Sequence, residues 1–257
     1  MKNIRTTLLT SVVLFVMAVG VQAQTASERS MESRFQIDLK VPDNALKSFL
    51  PDGWSPNVAA QGPAKDCNLR LIFIDQQTIN GPDGKPLGKG SSLTAALIAP
   101  VKDPSGNNAQ LVIGGITGDA SGAPGPFGNY LAASTMSMRR TTSSSNSGAT
   151  IESQDWVLHA NSGEHLEMHI KFEKGVGNRT NPVDVKFYSA KDPTIVQVSH
   201  QQQVLDILKN VTTTPKDRVQ EFKLKTSGGS YAKLFDGTEQ VLSWDNILWI
   251  DRSILAP

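Results

Sequence analysis

His165, Glu167 and His169 come closest, by residue type, to a set of metal ligands. Imidazole nitrogen and carboxylate oxygen are donors that zinc takes at about 2.0–2.2 Å. Two histidines four apart come within reach of one ion only on a helix. Here Leu166, Met168, Ile170 and Phe172 alternate with the polar residues, which is the period of a strand. At a rise of about 3.3 Å per residue, positions four apart on a strand lie roughly 13 Å from each other. His165 and His169 therefore cannot share one ion, and His165 or Glu167 could ligate only alongside distant residues. The segment reads as the polar outward face of a strand, and no metal is expected.

Nucleophilic and cofactor chemistry find no better footing. There is no G-x-S-x-G elbow, and Ser121-Gly122 sits among glycines rather than at a strand-to-helix turn. Cys67 is the only cysteine, so no intramolecular disulfide forms, and its place just before Leu69 to Ile74 reads as a small buried residue. Neither a phosphate-binding G-x-x-x-x-G-K-[ST] loop nor a G-x-G-x-x-G fingerprint occurs, so no cofactor is expected.

The least ordinary stretch is Gly114 to Arg140, which follows the apolar run Leu111 to Ile113 and is dense in glycine and proline up to Gly128. Glycine permits positive φ and close backbone approach, while proline removes a donor. The stretch reads as a bent loop forming the wall of a ligand pocket; a plain surface connection fits the same composition. Asn129, Tyr130 and Arg139 are the candidate binding residues, with a guanidinium suited to a carboxylate. Adjacent strand residues point to opposite faces, so at most one of Arg139 and Arg140 meets a given pocket. A solvated arginine pair is the alternative.

Composition narrows the partners. Of 257 residues, 39% are hydrophobic and 19% charged, and a net charge of +1 gives no field for nucleic acid. Met1 to Ala23 has the parts of a secretory signal: Lys2 and Arg5, an apolar core from Leu8 to Val21, and Val21-Gln22-Ala23 as a cleavage site. The apolar run is too short and too early for a stable membrane span. Export to the periplasm or the medium is the expectation, followed by a flexible lead-in over residues 24–34 and a single domain over residues 35–257. Oligomeric state is left open.

The elements that must position these residues are mostly strands. Phe35, Ile37, Leu39 and Val41 alternate with polar residues, and Leu46, Phe49 and Leu50 mark a short helix ended by Pro51-Asp52-Gly53. Ser92 to Val101 and Gln110 to Ile116 read as a pair, as do Ile151 to His159 and Glu164 to Phe172 around Asn161-Ser162-Gly163. Thr141 to Gly148 reads as an exposed hydroxyl-rich loop. Thr194 to Leu208 fits strand or helix. Val219 to Lys225, Gly228-Gly229 and Tyr231 to Phe235 read as a final hairpin, with Trp244 and Trp249 covering the core. With no βαβ alternation, a mainly β (α+β) antiparallel barrel or sandwich with a few short helices follows.

Asn44-Ala45-Leu46-Lys47-Ser48-Phe49-Leu50-Pro51, then Gly128-Asn129-Tyr130-Leu131-Ala132-Ala133, then Leu234-Phe235-Asp236 followed by Leu242, Asp245 and Ile247, resemble three segments of the acetoacetate decarboxylase-like family in order. The resemblance implies an antiparallel barrel or cone around a pocket, a small organic or keto acid as ligand, and lyase chemistry through a lysine Schiff base. That lysine should follow the Gly128 turn, where this chain has Ser134-Thr135-Met136-Ser137-Met138 and no lysine before Lys171. Arginine cannot act in its stead, because it stays protonated. The expectation is a barrel that binds, or acts on, a small acid without a Schiff base; a non-catalytic binding or interaction module is the alternative.

Overall fold

A computed structural model describes residues 26–118, 126–144, 146, 148–210 and 217–255. The proposed leader lies outside the described residues. Seven strands close into a barrel: β1 (Ala26–Lys40), β3 (Leu69–Asn80), β4 (Ser92–Lys102), β5 (Asn108–Thr117), β10 (Val183–Ser189), β11 (Val196–Lys209) and β13 (Gln240–Leu255). Their order is β5-β10-β11-β13-β1-β3-β4, and β4 pairs with β5 to complete the ring. Closure leaves no open edge among these strands. The barrel is antiparallel as expected apart from the short parallel β10–β5 pairing, and β5 also meets the strand that starts at Leu131 in parallel over two residues. The two-residue strands β2 (Ser55–Pro56) and β9 (Asn178–Arg179) border β4 and β11.

A second sheet, β6 (Leu131–Ser144), β7 (Thr150–Ala160), β8 (His165–Glu173) and β12 (Val219–Ser227), lies against the outside of the barrel. The period-2 patterns explain the packing. Phe35, Ile37, Leu39 and Phe73 point outward from β1 and β3, while Trp156, Leu158, Met168 and Phe172 point inward from β7 and β8. Phe35 meets Phe172 at a centroid distance of 5.7 Å, and Phe73 meets Trp156 at 5.5 Å. Burying each such side chain contributes roughly 1.5–3 kcal/mol. The alternate residues of β1 and β3 face the barrel interior.

Two helical pieces are short: α1 (Asp43–Lys47), anchored by buried Leu46, and a 3₁₀ turn at Gly229–Lys233. Several expectations change. From Ala26 onward the lead-in is strand, paired on both sides with β13 and β3. Thr141 to Ser144 extend β6 opposite Thr150 to Ser153 rather than forming a loop. The stretch Thr194 to Leu208 resolves as strand from Val196 on, in β11, which pairs with β13 from Val198. The expected final hairpin does not form: β12 pairs with β8, and Tyr231 sits in the 3₁₀ turn instead of a strand. The last strand is β13, carrying both tryptophans into the barrel wall.

Gly114 and Gly115 belong to β5 rather than to a loop. A Cβ on Gly115 would lie 2.2 Å from the Ala95 carbonyl oxygen and 2.6 Å from the Tyr130 ring. These glycines thus admit neighbouring groups at close range, a role composition alone does not separate from turn formation.

Candidate functional site

The barrel interior is the candidate site. Its wall combines Ile72, Ile74, Ile98, Val112, Phe127 and Phe187 with an unusual set of charged and amide side chains. Two polar centres stand along β1, where residues 32, 34, 36 and 38 all point inward.

At the first centre Glu32, 1% exposed, is gripped by two guanidiniums. Arg34 approaches at 2.5 Å and Arg252, from β13, at 2.7 Å; Ser30 adds a hydrogen bond of 2.7 Å. Burial alone would raise the carboxyl pKa, but Arg252, Arg34 and the Ser30 bond outweigh it and hold Glu32 down at about 2. Arg252 also reaches Glu28 at 2.6 Å. Burial alone would lower the Arg252 pKa, yet Glu32, Glu28 and nearby Tyr130 raise it, so this guanidinium stays charged. Two arginines against two glutamates leave this centre balanced. The bonds of Arg34 and Arg252 use Nε and Nη2, and Nη1 of each has no protein partner among the described residues.

At the second centre Asp245 of β13 receives a bond from Gln36 at 3.4 Å, and Gln36 also reaches Asp38 at 3.1 Å. Arg70 Nε lies 3.3 Å from Asp38 without hydrogen-bond alignment, and Ser243 donates to Asp38 at 3.0 Å. Burial and the neighbouring Asp38 charge push the Asp245 pKa up to about 7, with Arg70 opposing. Asp245 thus exchanges its proton near neutrality, unlike an ordinary carboxylate. A cavity of about 290 Å³ opens here, bordered by Arg34, Gln36, Arg70, Gln110, Gln201 and Asp245. Gln201 Oε1 on this wall, and Ser199 Oγ in the adjoining pocket, have no hydrogen-bond partner among the described residues.

The expected binding residues separate. Tyr130 lines the interior, with its ring 6.4 Å from Phe127. Asn129 fixes the turn before it by donating to the Val112 carbonyl at 2.6 Å, and its buried Oδ1 has no partner among the described residues. Arg139 is a correction: it points to solvent on the second sheet and pairs with Asp155 at 2.8 Å. Arg140 faces the opposite way, toward Ser33 and Glu152, so neither arginine reaches the interior. Their strand leaves the barrel after a pairing of two residues, Ile116 with Leu131 and Thr117 with Ala132. The rest of the Gly114 to Arg140 stretch divides: Phe127 and Tyr130 border the pocket, while residues 119–125 lie outside the described part.

Glu32, Arg34, Asp38, Arg70 and Arg252 escaped the sequence reading because charged residues alternating with apolar ones look solvent-exposed. In a closed barrel covered by a second sheet both faces are buried. Cys67 matches its expectation: it is buried, and burial with the Asp38 charge pushes its thiol up to about 11, too high for a nucleophile. His169 bonds Asp155 at 2.7 Å and stands apart from any shared site with His165.

No protein-family model matches the sequence, and no curated protein does. Solved structures do. An acetoacetate decarboxylase-like enzyme from Sphingomonas wittichii RW1 aligns with a TM-score of 0.51 at 12% identity, covering 96% of this chain and all of that one (100%). The fold is acetoacetate decarboxylase-like. MppR, an enduracididine biosynthesis enzyme, aligns with a TM-score of 0.56 at 9% identity over 93% of this chain and 89% of its own, in a structure with HEPES buffer bound. A second MppR structure, complexed with the condensation product of pyruvate and imidazole 4-carboxaldehyde, gives a TM-score of 0.55 at 9% identity over 92% and 90%. Within this acetoacetate decarboxylase-like barrel, none of the described residues bordering the interior cavities is a lysine.

Proposed function

We propose that this barrel binds a small organic acid and handles it without a lysine Schiff base. The observation that carries the reading is the pair of largely buried guanidiniums, Arg34 and Arg252, each with an Nη1 that has no partner among the described residues, beside the barrel interior. Carboxylate or keto oxygen accepts from such groups, and Tyr130 borders the same space. Arg34 and Gln36 are two residues apart on β1, roughly 6.6 Å, which is the reach of a small acid from the arginines toward Asp245.

In this reading Asp245, ionised for part of the time at neutral pH, takes a proton from the carbon beside the keto group. The electron pair moves onto the oxygen held by the guanidiniums. This supports lyase-type chemistry through an enolate rather than an imine. A second reading, binding without chemistry, is favoured by the missing lysine. Two measurements separate them. Thermal shift with pyruvate and other small carboxylates reports binding, since a native-state ligand raises stability. Deuterium exchange at the pyruvate methyl group in D2O, lost in Asp245→Asn, reports proton transfer; shift without exchange supports the binding reading. A borohydride-trapped lysine adduct would overturn the Schiff-base-free mechanism, and no shift across the panel would overturn both readings.

The secretory pattern of residues 1–23 supports an exported protein. N-terminal sequencing of the mature chain should begin at Gln24; a cytoplasmic, uncleaved chain would refute export.

A further inference from the structure

Away from the barrel interior, the solvent face of the second sheet brings together three donors from one hairpin. His159 of β7 stands directly opposite His165 of β8, and Glu167 is the next residue on the same face of β8. The two imidazoles stack with centroids 4.0 Å apart and planes 17° from parallel. His159 Nε2 lies 2.9 Å from Glu167 Oε1. One ligand atom from each of the three residues falls within 4.8 Å of the others.

We propose that His159, His165 and Glu167 form a surface site for a divalent transition metal ion such as Zn(II), Ni(II) or Cu(II). Tetrahedral bonds of about 2.0–2.1 Å place donor atoms about 3.3 Å apart, so small rotamer changes close the set. The side chains have that freedom, because His159 and Glu167 are 28% and 30% exposed. Leu158 and Leu166 pack beneath them and hold the strand pair rigid. Two imidazoles with one carboxylate suit late first-row ions and not calcium or magnesium, which take all-oxygen shells. Three protein ligands leave a fourth position to water or an incoming group. Lys225, pairing with Glu167 at 3.5 Å, is the charge that must yield when a cation enters.

His165 and His169, set apart by strand spacing, do not share this site. His165 finds its partner across the Asn161-Ser162-Gly163 turn, which sets the register His159 to His165. The site is independent of the interior acid-binding reading and stands or falls by itself.

Isothermal titration of the full chain with Ni(II) and with Zn(II) tests it. One equivalent should bind, and His159→Asn, His165→Asn and Glu167→Gln should each weaken binding about tenfold or more. His169→Asn and His200→Asn should leave the affinity unchanged. Electron paramagnetic resonance of the Cu(II)-loaded native chain should show two coordinated nitrogens, a readout that needs no variant. Undiminished binding in the double variant His159→Asn/His165→Asn, or a copper spectrum without two nitrogens, would overturn the site. So would failure to bind any of the three ions.

Discussion

Asp245 offers a test in which sign and size both follow from the structure. Its folded pKa of about 7 lies above the ordinary 3.8, because burial and the Asp38 charge disfavour the carboxylate. A group raised in the folded state contributes stability in full below its unfolded pKa and loses it as pH rises through the folded value. Between pH 5 and pH 8 the unfolded chain is ionised throughout while the folded chain must give up its proton. The linkage integral over that window is about 2–3 kcal/mol lost by the wild type. Asp245→Asn keeps the shape and removes the titration, so the wild type should lose about 2–3 kcal/mol relative to the variant between those two pH values. Urea denaturation of both proteins at pH 5 and pH 8 gives this double difference directly, with common effects cancelling. A double difference below about 0.5 kcal/mol would refute the raised pKa, and with it Asp245 as the proton-transfer group.

Glu32 should behave oppositely: its depressed pKa gives stability present above the ordinary value of 4.5 and lost as pH falls toward 2. The shift corresponds to about 3 kcal/mol, so acid titration of Glu32→Gln should show a correspondingly flatter loss below pH 4.5 than the wild type. Tyr231 donates to the Gly115 carbonyl at 3.0 Å and accepts from its N–H at 2.7 Å. Tyr231→Phe strands both buried groups and should cost about 1–3 kcal/mol in chemical denaturation. Gly115→Ala should cost about 1–3 kcal/mol or more, because the new methyl meets backbone oxygen that cannot move aside; a thermal midpoint equal to wild type would show that β5 has slack.

Strand identity was legible wherever alternation was clean. Leu166, Met168, Ile170 and Phe172 announced β8, and Asn161-Ser162-Gly163 announced the hairpin that carries it. Topology was less legible. β12 and Tyr231 to Phe235 are adjacent and glycine-linked, yet β8 offers β12 a longer partner, and Tyr231 turns inward to bond Gly115. Local sequence does not encode that competition. The site was the hardest part, because Arg34 and Arg252 are 218 positions apart and meet only through the β1–β13 register. Charge alternating with apolar residues on β1 fits a solvent-facing strand equally well. Only closure of the barrel decides that Glu32, Arg34, Gln36 and Asp38 face a shared interior. Tyr130 borders the interior because it follows the Gly128 turn where β6 departs from the barrel, whereas Arg139 lies beyond that departure.

The central claim is that the closed barrel holds a small acid between Arg34, Arg252 and Asp245. A crystal structure of the protein soaked with pyruvate tests it most directly. Pyruvate oxygens within hydrogen-bond distance of Nη1 of Arg34 or Arg252, with the methyl carbon directed toward Asp245, are the predicted result. Pyruvate bound only outside the barrel, or an interior filled by side chains with both Nη1 groups satisfied by protein, would contradict it.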